Sequence, residues 1–136
     1  ADSSHIAAEF VGRFKQNRKS LPAISLSADA SIITCIGNDY GYENVFSRQL
    51  DALFNEGDII FIYSTSGKSK NILKALEFCK RNDCFSVGFC GLGGNEFLTK
   101  SSVVFEINTK NTARVQEAYL LISHSLVEAI ENKLGL

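Results

Sequence analysis

Apolar residues recur along the chain with two different periods, one typical of strands and the other typical of helices. Residues 59–63 are an unbroken apolar run rich in β-branched and aromatic side chains, which predicts a strand buried on both faces of a parallel sheet. Further apolar runs predict strands at residues 84–89 and 102–107, and a shorter run predicts a strand around residues 24–26.

Helical spacing of apolar residues fills the segments between these runs. Helices are predicted over residues 5–14, over 30–37, from Val45 to Leu53, from about Ser69 onwards, and over 113–134. Asp2, Ser3 and Ser4 are N-cap candidates for the first of them, and a turn is predicted at residues 38–41. Strands that alternate with helices predict an α/β fold, with a parallel sheet covered by helices on both faces, in one domain over residues 1–136.

Small polar residues follow the strand at residues 59–63, in the order Ser64-Thr65-Ser66-Gly67-Lys68-Ser69. Such a loop predicts a phosphate site, because the free N–H groups and the positive dipole end of the next helix face it. The alternative is a simple turn in which Ser69 acts only as an N-cap. A nucleotide-binding P-loop is excluded, because Ile62 occupies the position at which that motif needs a glycine.

Ligands of open α/β sheets bind beyond the carboxyl ends of the strands. This rule places the Ser64–Ser69 loop, the Gly91–Gly94 loop and the Asn38-Asp39 pair on one rim of the predicted sheet. The residues alone therefore predict an α/β protein that binds a phosphate-bearing small molecule, and they do not name a reaction.

Composition and charge exclude several other classes of protein. A net charge of −1 over 136 residues offers no basic surface for nucleic acid, and no apolar run is long enough to cross a membrane. The four cysteines, Cys35, Cys79, Cys84 and Cys90, lack C-x-x-C spacing, and three of them lie in apolar surroundings. This pattern favours reduced thiols in a cytoplasmic protein. Because the chain lacks an initiator Met and opens on a helical pattern, we expect a fragment of a longer product.

Five segments occur in order along the chain: ADSSHIAAEF with Gly12-Arg13, IGNDYG at 36–41, FSRQ at 46–49, STSGKS at 64–69, and TARVQE at 112–117 with His124. Together they resemble the sugar isomerase (SIS) domain and, within it, the sedoheptulose-7-phosphate isomerase (phosphoheptose isomerase) family. The resemblance implies a flavodoxin-like three-layer sandwich and a homotetramer. It also implies interconversion of sedoheptulose 7-phosphate and D-glycero-D-manno-heptose 7-phosphate, the entry step to the heptoses of bacterial surface polysaccharides.

The same resemblance implies site residues. The phosphate-binding loop of the family falls on Ser64, Thr65, Ser66 and Ser69, and its sugar-contacting pair falls on Asn38 and Asp39. Its metal-binding positions fall on His5, Glu9, Gln116 and His124, where many members carry zinc, so one zinc ion per subunit is expected. Its catalytic positions are Glu9 and His124, and Glu9 and Gln116 also fall among its substrate contacts.

These residue types suit an aldose–ketose isomerisation. The reaction takes a proton from one carbon and returns it to the neighbouring carbon through an enediol, so a carboxylate can serve as the base and an imidazole as the acid. On spacing alone, His5 and Glu9 also fit a solvent-exposed pair one helical turn apart. Zinc would either polarise the carbonyl or hold the site together, and the role of a zinc-bound Glu9 stays open.

Three departures from the family pattern affect these expectations. The N-terminal helix of the family, and its first strand with a G-N-G-G-S loop, have no counterpart in this sequence, so residues 1–136 by themselves are expected to be incompletely active. Ala113 stands where some members carry Asp, and Tyr119 stands where some carry His. Two alternatives to the heptose reaction remain: a non-catalytic SIS-domain binding or regulatory protein, and an isomerase of another sugar phosphate.

The spacing of Gln116 and His124 bears on assembly. Eight residues separate them, which is about 12 Å along a straight helix, too far for both side chains to bind one metal ion. Either Gln116 lies in an irregular first turn, or more than one subunit contributes to the quartet. We favour the second alternative, which predicts active sites at subunit interfaces and inactive monomers, and which leaves open the subunit that supplies each residue.

Overall fold

Six α-helices and three β-strands lie along residues 1–134, the part of the chain that this computed structural model describes, and strands and helices alternate from the first strand onwards. The first half contains α1 (Asp2–Val11), α2 (Ala30–Tyr40), a short 3-10 turn (Tyr42–Asn44) and α3 (Ser47–Leu53). The second half contains β1 (Ile59–Ser64), α4 (Lys70–Arg81), β2 (Phe85–Gly91), α5 (Asn95–Lys100), β3 (Val103–Ile107) and α6 (Thr112–Leu134). The predicted α/β class is confirmed.

The three strands form one parallel sheet in the order β1-β2-β3. The central strand is β2, in which every residue from Ser86 to Gly91 is buried, whereas β1 lies at one edge of the described sheet and exposes Ile59 by 59 %. The prediction that residues 59–63 are buried on both faces is therefore wrong for part of the strand. Because all strands point the same way, the loops after β1 and β2 meet at the same rim.

Helices cover both faces of the sheet, as predicted. On one face, α4 and α5 bury Ile62 of β1 and Cys90 of β2 together with Leu76 and Phe97. Gly88 leaves room for the Phe97 ring, since a Cβ at that glycine would lie 2.4 Å from the ring. On the other face, α1 and α6 pack against the strands.

An aromatic ladder, formed by Tyr63, Phe89 and Phe105, crosses the face under α6. The three residues are paired in register across β1, β2 and β3. Phe89 stacks on Tyr63 with ring centroids 4.7 Å apart and on Phe105 at 5.3 Å. Tyr119 of α6 lies over Phe89 and is 1 % exposed, so α6 is held against the sheet by aromatic contacts.

The structure corrects several predicted element bounds. The first helix spans Asp2–Val11 rather than residues 5–14, with Ala1 as its N-cap. Helix α2 continues through Asn38 and Asp39 to Tyr40 and is followed by Gly41 as C-cap, whose φ is +87°. Within the described part of the chain, residues 24–26 form no strand, because no neighbouring strand pairs with them. Helix α5 is an element that the sequence pattern does not predict.

Three of the four cysteines are buried, as the sequence predicts, and all four are free thiols. Burial raises the pKa of Cys79 to about 12, and burial together with the nearby Glu106 carboxylate raises that of Cys90 to about 11. Cys35 on α2 is exposed. In residues 1–134, the helices all lack the combination of length and hydrophobicity that crossing a membrane requires.

Candidate active site

Three side chains converge where α1 meets α6: His5, Glu9 and His124. His5 and Glu9 lie one turn apart on α1, and His5 Nε2 lies 3.1 Å from Glu9 Oε1. His124 reaches in from α6, with its Nε2 atom 3.3 Å from Nε2 of His5. The ligand atoms of all three residues lie within 4.8 Å of one another. The structure thus brings together three members of the predicted metal quartet from a single chain.

The trio is accessible to a ligand without being fully solvated. The His5 side chain is 45 % exposed and that of Glu9 is 22 % exposed. The two imidazoles meet edge to face with ring centroids 5.1 Å apart, and the Phe14 ring stacks on that of His124 at 5.1 Å. These two ring contacts restrict the rotation of the His124 imidazole.

The donor set of this trio fits a zinc ion. Two imidazole nitrogens and a carboxylate oxygen are common zinc ligands, and bonds of about 2.0–2.1 Å in a tetrahedron place neighbouring ligand atoms about 3.3 Å apart. The distances of 3.1 Å and 3.3 Å around His5 agree with that spacing. The isolated, purely solvated His5–Glu9 pair is therefore a poorer description than a three-residue site.

Gln116, the fourth predicted ligand, lies elsewhere. It is exposed inside α6, which is helical from Thr112 onwards, so it does not occupy an irregular first turn. Its Cα atom lies about 12 Å from that of His124 along the helix axis. One chain brings Glu9 and His124 together, so these two residues do not need to come from different subunits.

The segment after α1 holds these elements in place through a buried ion pair. Arg18 and Glu131 have side chains that are 0 % and 1 % exposed, and Arg18 Nε donates to Glu131 Oε1 at 2.7 Å. Burial alone would raise the pKa of the Glu131 carboxyl, but the donors outweigh it and lower the pKa to about 2. These donors are Arg18 and the backbone N–H groups of Phe14, Lys15 and Gln16.

The predicted phosphate loop, residues 64–69, follows β1 at the rim. Ser64 is buried, and its hydroxyl accepts a hydrogen bond from the Gly67 N–H at 3.1 Å, so it shapes the loop. Gly67 has φ +63°, and a Cβ there would lie 2.7 Å from the Cα of Gly94. The N–H of Gly91 donates to the carbonyl of Thr65 at 3.0 Å. The loops after β1 and β2 therefore lie at one rim of the sheet, as predicted, and they are in contact there.

Ser69 occupies the N-cap of α4, yet its side chain accepts no capping hydrogen bond from the described backbone. The interpretation of Ser69 as an ordinary capping residue is therefore wrong, and its exposed hydroxyl stays available to a ligand. Ser66 is exposed and accepts from the Lys68 N–H at 3.2 Å, and Thr65 is half-buried. An open depression of about 470 Å³ adjoins Ser69, lined also by Tyr42, Glu43, Lys70 and Asn71.

Asn38 and Asp39 form a pair on the last turn of α2. Both are exposed, and Asn38 Nδ2 donates to Asp39 Oδ1 at 2.7 Å. Across residues 1–134, the hydrogen bonds and ion pairs of this pair do not reach the His5 trio or the phosphate loop. The structure consequently places the metal-compatible trio, the predicted phosphate loop and the polar pair as three separate groups.

The two departures at α6 have clear structural settings. Tyr119 is buried, and its hydroxyl has no hydrogen-bond partner among the described residues. Burial raises the pKa of this phenol. Ala113 is exposed in the first turn of α6. Tyr119 therefore serves the core in this protein.

Comparison with known proteins gives consistent matches. Residues 1–91 match the family model described as SIS domain. The chain is 46% identical over 134 residues to a phosphoheptose isomerase of Burkholderia pseudomallei, covering 98% of this chain and 68% of that protein. It is also 46% identical over 134 residues to phosphoheptose isomerase 2 of Campylobacter jejuni, covering 98% of this chain and 67% of the relative.

Solved structures agree with these matches. The phosphoheptose isomerase of Neisseria gonorrhoeae superposes with a TM-score of 0.89 at 34% identity, over 96% of this chain and 70% of that one. A phosphoheptose isomerase of Francisella tularensis gives a TM-score of 0.88 at 33% identity, over the same shares of the two chains. The three-layer arrangement described above is thus also the arrangement of these enzymes.

Proposed function

Because the chain belongs to the phosphoheptose isomerase family of SIS-domain proteins, we propose that it interconverts sedoheptulose 7-phosphate and D-glycero-D-manno-heptose 7-phosphate. The observation that carries the proposal is the convergence of Glu9 and His124 within 4.8 Å in one chain. A base and an acid at that separation can serve two adjacent carbons and their oxygens.

The proton transfers balance between these two residues. Starting from the ketose, the Glu9 carboxylate removes a proton from C1 while His124 gives a proton to the oxygen on C2, which yields the enediol. His124 then takes the proton from the oxygen on C1, and Glu9 returns its proton to C2, which yields the aldose. Both residues end in their initial protonation states, so no other reactant is needed.

The phosphate group is assigned to the loop after β1. The exposed hydroxyl of Ser69 and the first N–H groups of α4 offer donors, with Thr65 and Ser66 beside them. Ser64 supports the loop from inside through Gly67. We assign Asn38 and Asp39 to the sugar hydroxyls, since an amide and a carboxylate can donate to and accept from them.

Zinc is the cofactor that the trio fits best, and His5, Glu9 and His124 would hold it. Because an atom bound to zinc cannot also carry a proton, the proton transfers described above are assigned to the trio without bound zinc. When bound, it would supply positive charge next to the oxygens of the substrate. The proposed stoichiometry is one ion per subunit, with Gln116 from a neighbouring chain as the fourth ligand and a substrate contact.

A homotetramer with active sites at its interfaces accounts for the remaining features. Helix α6 exposes Leu121 by 69 %, and Ile24 is 70 % exposed, so both apolar side chains could be covered by a neighbouring subunit. A neighbouring subunit that covers such surfaces would also be placed to supply Gln116. We assign the protein to the cytoplasm, where its free thiols would stay reduced, and to heptose synthesis for capsule or lipopolysaccharide.

The test is direct. The full-length protein is incubated with sedoheptulose 7-phosphate, and formation of the aldose is followed by NMR. Glu9→Gln and His124→Ala should each lower kcat by about two orders of magnitude or more, the scale of general acid–base catalysis. Glu96→Gln, an exposed change on α5, is the control. Near-normal kcat in either variant would remove that residue from the proposed proton transfers, whereas no aldose from the unaltered protein would favour a non-catalytic binding protein.

A further inference from the structure

We propose that Arg18 and Glu131 are positioning residues that hold Glu9 and His124 in reacting geometry. They touch neither residue's reactive atoms. They act instead on the backbone behind Glu9 and, through Phe14, on the ring of His124. The inference rests on the proposed function, because that function assigns the proton transfers to these two side chains.

The pair is unusual because both charges are fully buried. A buried ion pair stabilises a fold weakly on its own, since desolvation offsets the attraction, so its geometry matters more than its presence. Here the Glu131 carboxylate accepts at both oxygens: Oε1 from the Phe14 N–H at 3.0 Å and from Arg18 Nε at 2.7 Å, and Oε2 from the Lys15 N–H at 3.1 Å. Such a carboxylate has one orientation.

The first arm runs from Arg18 to α1. Its guanidinium donates from Nη2 to the Glu9 carbonyl at 2.7 Å and from Nη1 to the Phe10 carbonyl at 2.9 Å. These carbonyls belong to the last turn of α1, where helix carbonyls lack partners within the helix. Arg18 thus fixes the end of the helix that carries Glu9.

The second arm runs from Glu131 to His124. Glu131 lies on α6 seven residues after His124, about two turns further along the same helix. Its bond to the Phe14 N–H anchors that residue, and the Phe14 ring lies over the His124 ring with an angle of 19° between their planes. One ion pair therefore sets both the position of α1 and the ring plane of His124.

A neighbouring ion pair provides a matched control. Lys15 Nζ lies 2.7 Å from Glu128 Oε1, joining the same segment to the same helix. Their side chains are 58 % and 42 % exposed, and among the described contacts neither bonds to the α1 backbone. If any link between this segment and α6 sufficed, Glu128→Gln would act like Glu131→Gln.

The experiment compares Glu131→Gln, Phe14→Leu and Glu128→Gln in the full-length protein. Steady-state kinetics with sedoheptulose 7-phosphate, Tm, and the ring-proton NMR shifts of His124 in metal-free protein are measured, with His124→Ala providing the assignment. Glu131→Gln should lower kcat by about 10–100-fold, the cost of misplacing a reacting group by about 1 Å, while KM changes less than about twofold. The His124 ring protons should move downfield as stacking loosens.

Phe14→Leu separates positioning from stability, because it leaves the buried ion pair intact. It should lower kcat with KM and Tm nearly unchanged, and Glu128→Gln should match the unaltered protein. The proposal is overturned if Glu131→Gln and Phe14→Leu are folded with kcat within about twofold of normal, or if kcat losses only follow Tm. Should the unaltered protein fail to isomerise the ketose, the proposed function fails, and the His124 shifts still decide whether Glu131 and Phe14 hold that ring.

Discussion

Among single residues, Ser69 offers the clearest separation between binding and folding. Its hydroxyl makes no capping bond within the described chain, so Ser69→Ala removes nothing that α4 depends on. We expect sugar-phosphate affinity to fall about tenfold, since a hydrogen bond to a charged group contributes about 1.5–3 kcal/mol, while Tm stays constant. Isothermal titration calorimetry with the substrate measures this change in affinity.

The matched control is Ser31→Ala, an exposed change in the first turn of α2, away from β1. Equal affinity in Ser69→Ala and the unaltered protein would remove Ser69 from the phosphate site.

Single residues also differ in how well the sequence predicts their place in the candidate site. His5 and Glu9 are four residues apart, and helical spacing is enough to predict that they meet. Family motifs point to His124, which no local pattern connects to α1. The buried ion pair of Arg18 and Glu131 could not be predicted from the sequence, because the two residues lie 113 positions apart and charged residues are mostly exposed. Their burial depends on the tertiary fold alone.

At the scale of elements, the two loops of the rim depend on a glycine contact. Gly67→Ala would place a Cβ 2.7 Å from the Gly94 backbone in addition to straining a positive φ. Gly57 has φ +94° with nothing within 4 Å of an added Cβ, so Gly57→Ala incurs only the backbone strain of about 1–2 kcal/mol.

We therefore expect Gly67→Ala to lose about 1–3 kcal/mol more unfolding free energy than Gly57→Ala and to bind substrate more weakly. Urea denaturation and titration measure both effects. Equal losses in the two variants would show that the loops can separate without cost.

At this scale, the periodicity of apolar residues does not predict where each strand lies in the sheet. The runs at residues 59–63 and 84–89 look alike in sequence, yet the structure makes the first an edge strand and the second the central one. The hydrophobic pattern of a segment indicates that the strand has apolar faces. It does not indicate which strands lie beside it in the sheet. Residues 24–26 carry a strand pattern without a neighbour to pair with, so they stay irregular.

At the scale of the whole molecule, Gln116 tests the assembly. Because Glu9 and His124 meet within one chain, mixing variants of these two should restore nothing. Mixing Gln116→Ala subunits with Glu9→Gln subunits should instead restore activity, since some mixed sites would combine an intact trio with an intact neighbouring Gln116. Recovery is measured after verified subunit exchange, with each parent alone as the baseline. No recovery would place Gln116 outside the neighbouring site.

The dependence of the unfolding free energy on pH is also a property of the whole molecule, and Glu131 contributes to it. The pKa of Glu131 lies at about 2 in the fold against an ordinary 4.5, so the folded state favours the carboxylate. Its contribution to stability is complete above the ordinary pKa and is lost as the pH falls from there towards 2. Between neutral pH and about pH 3, unfolding free energy should drop less in Glu131→Gln than in Glu128→Gln, as urea titrations would show. Equal drops in unfolding free energy in the two variants would contradict the low pKa assigned to Glu131.

Of the four cysteine thiols, only that of Cys35 is exposed at the protein surface. The thiolate is the reactive form of cysteine, and burial keeps Cys79 and Cys90 protonated at any ordinary pH. Alkylating dyes and mild oxidants meet one accessible sulfur in the folded chain, that of Cys35, one helical turn before Asp39. A single probe attached there would sit beside the residues assigned to the sugar, so substrate arrival could be watched without altering either reacting group.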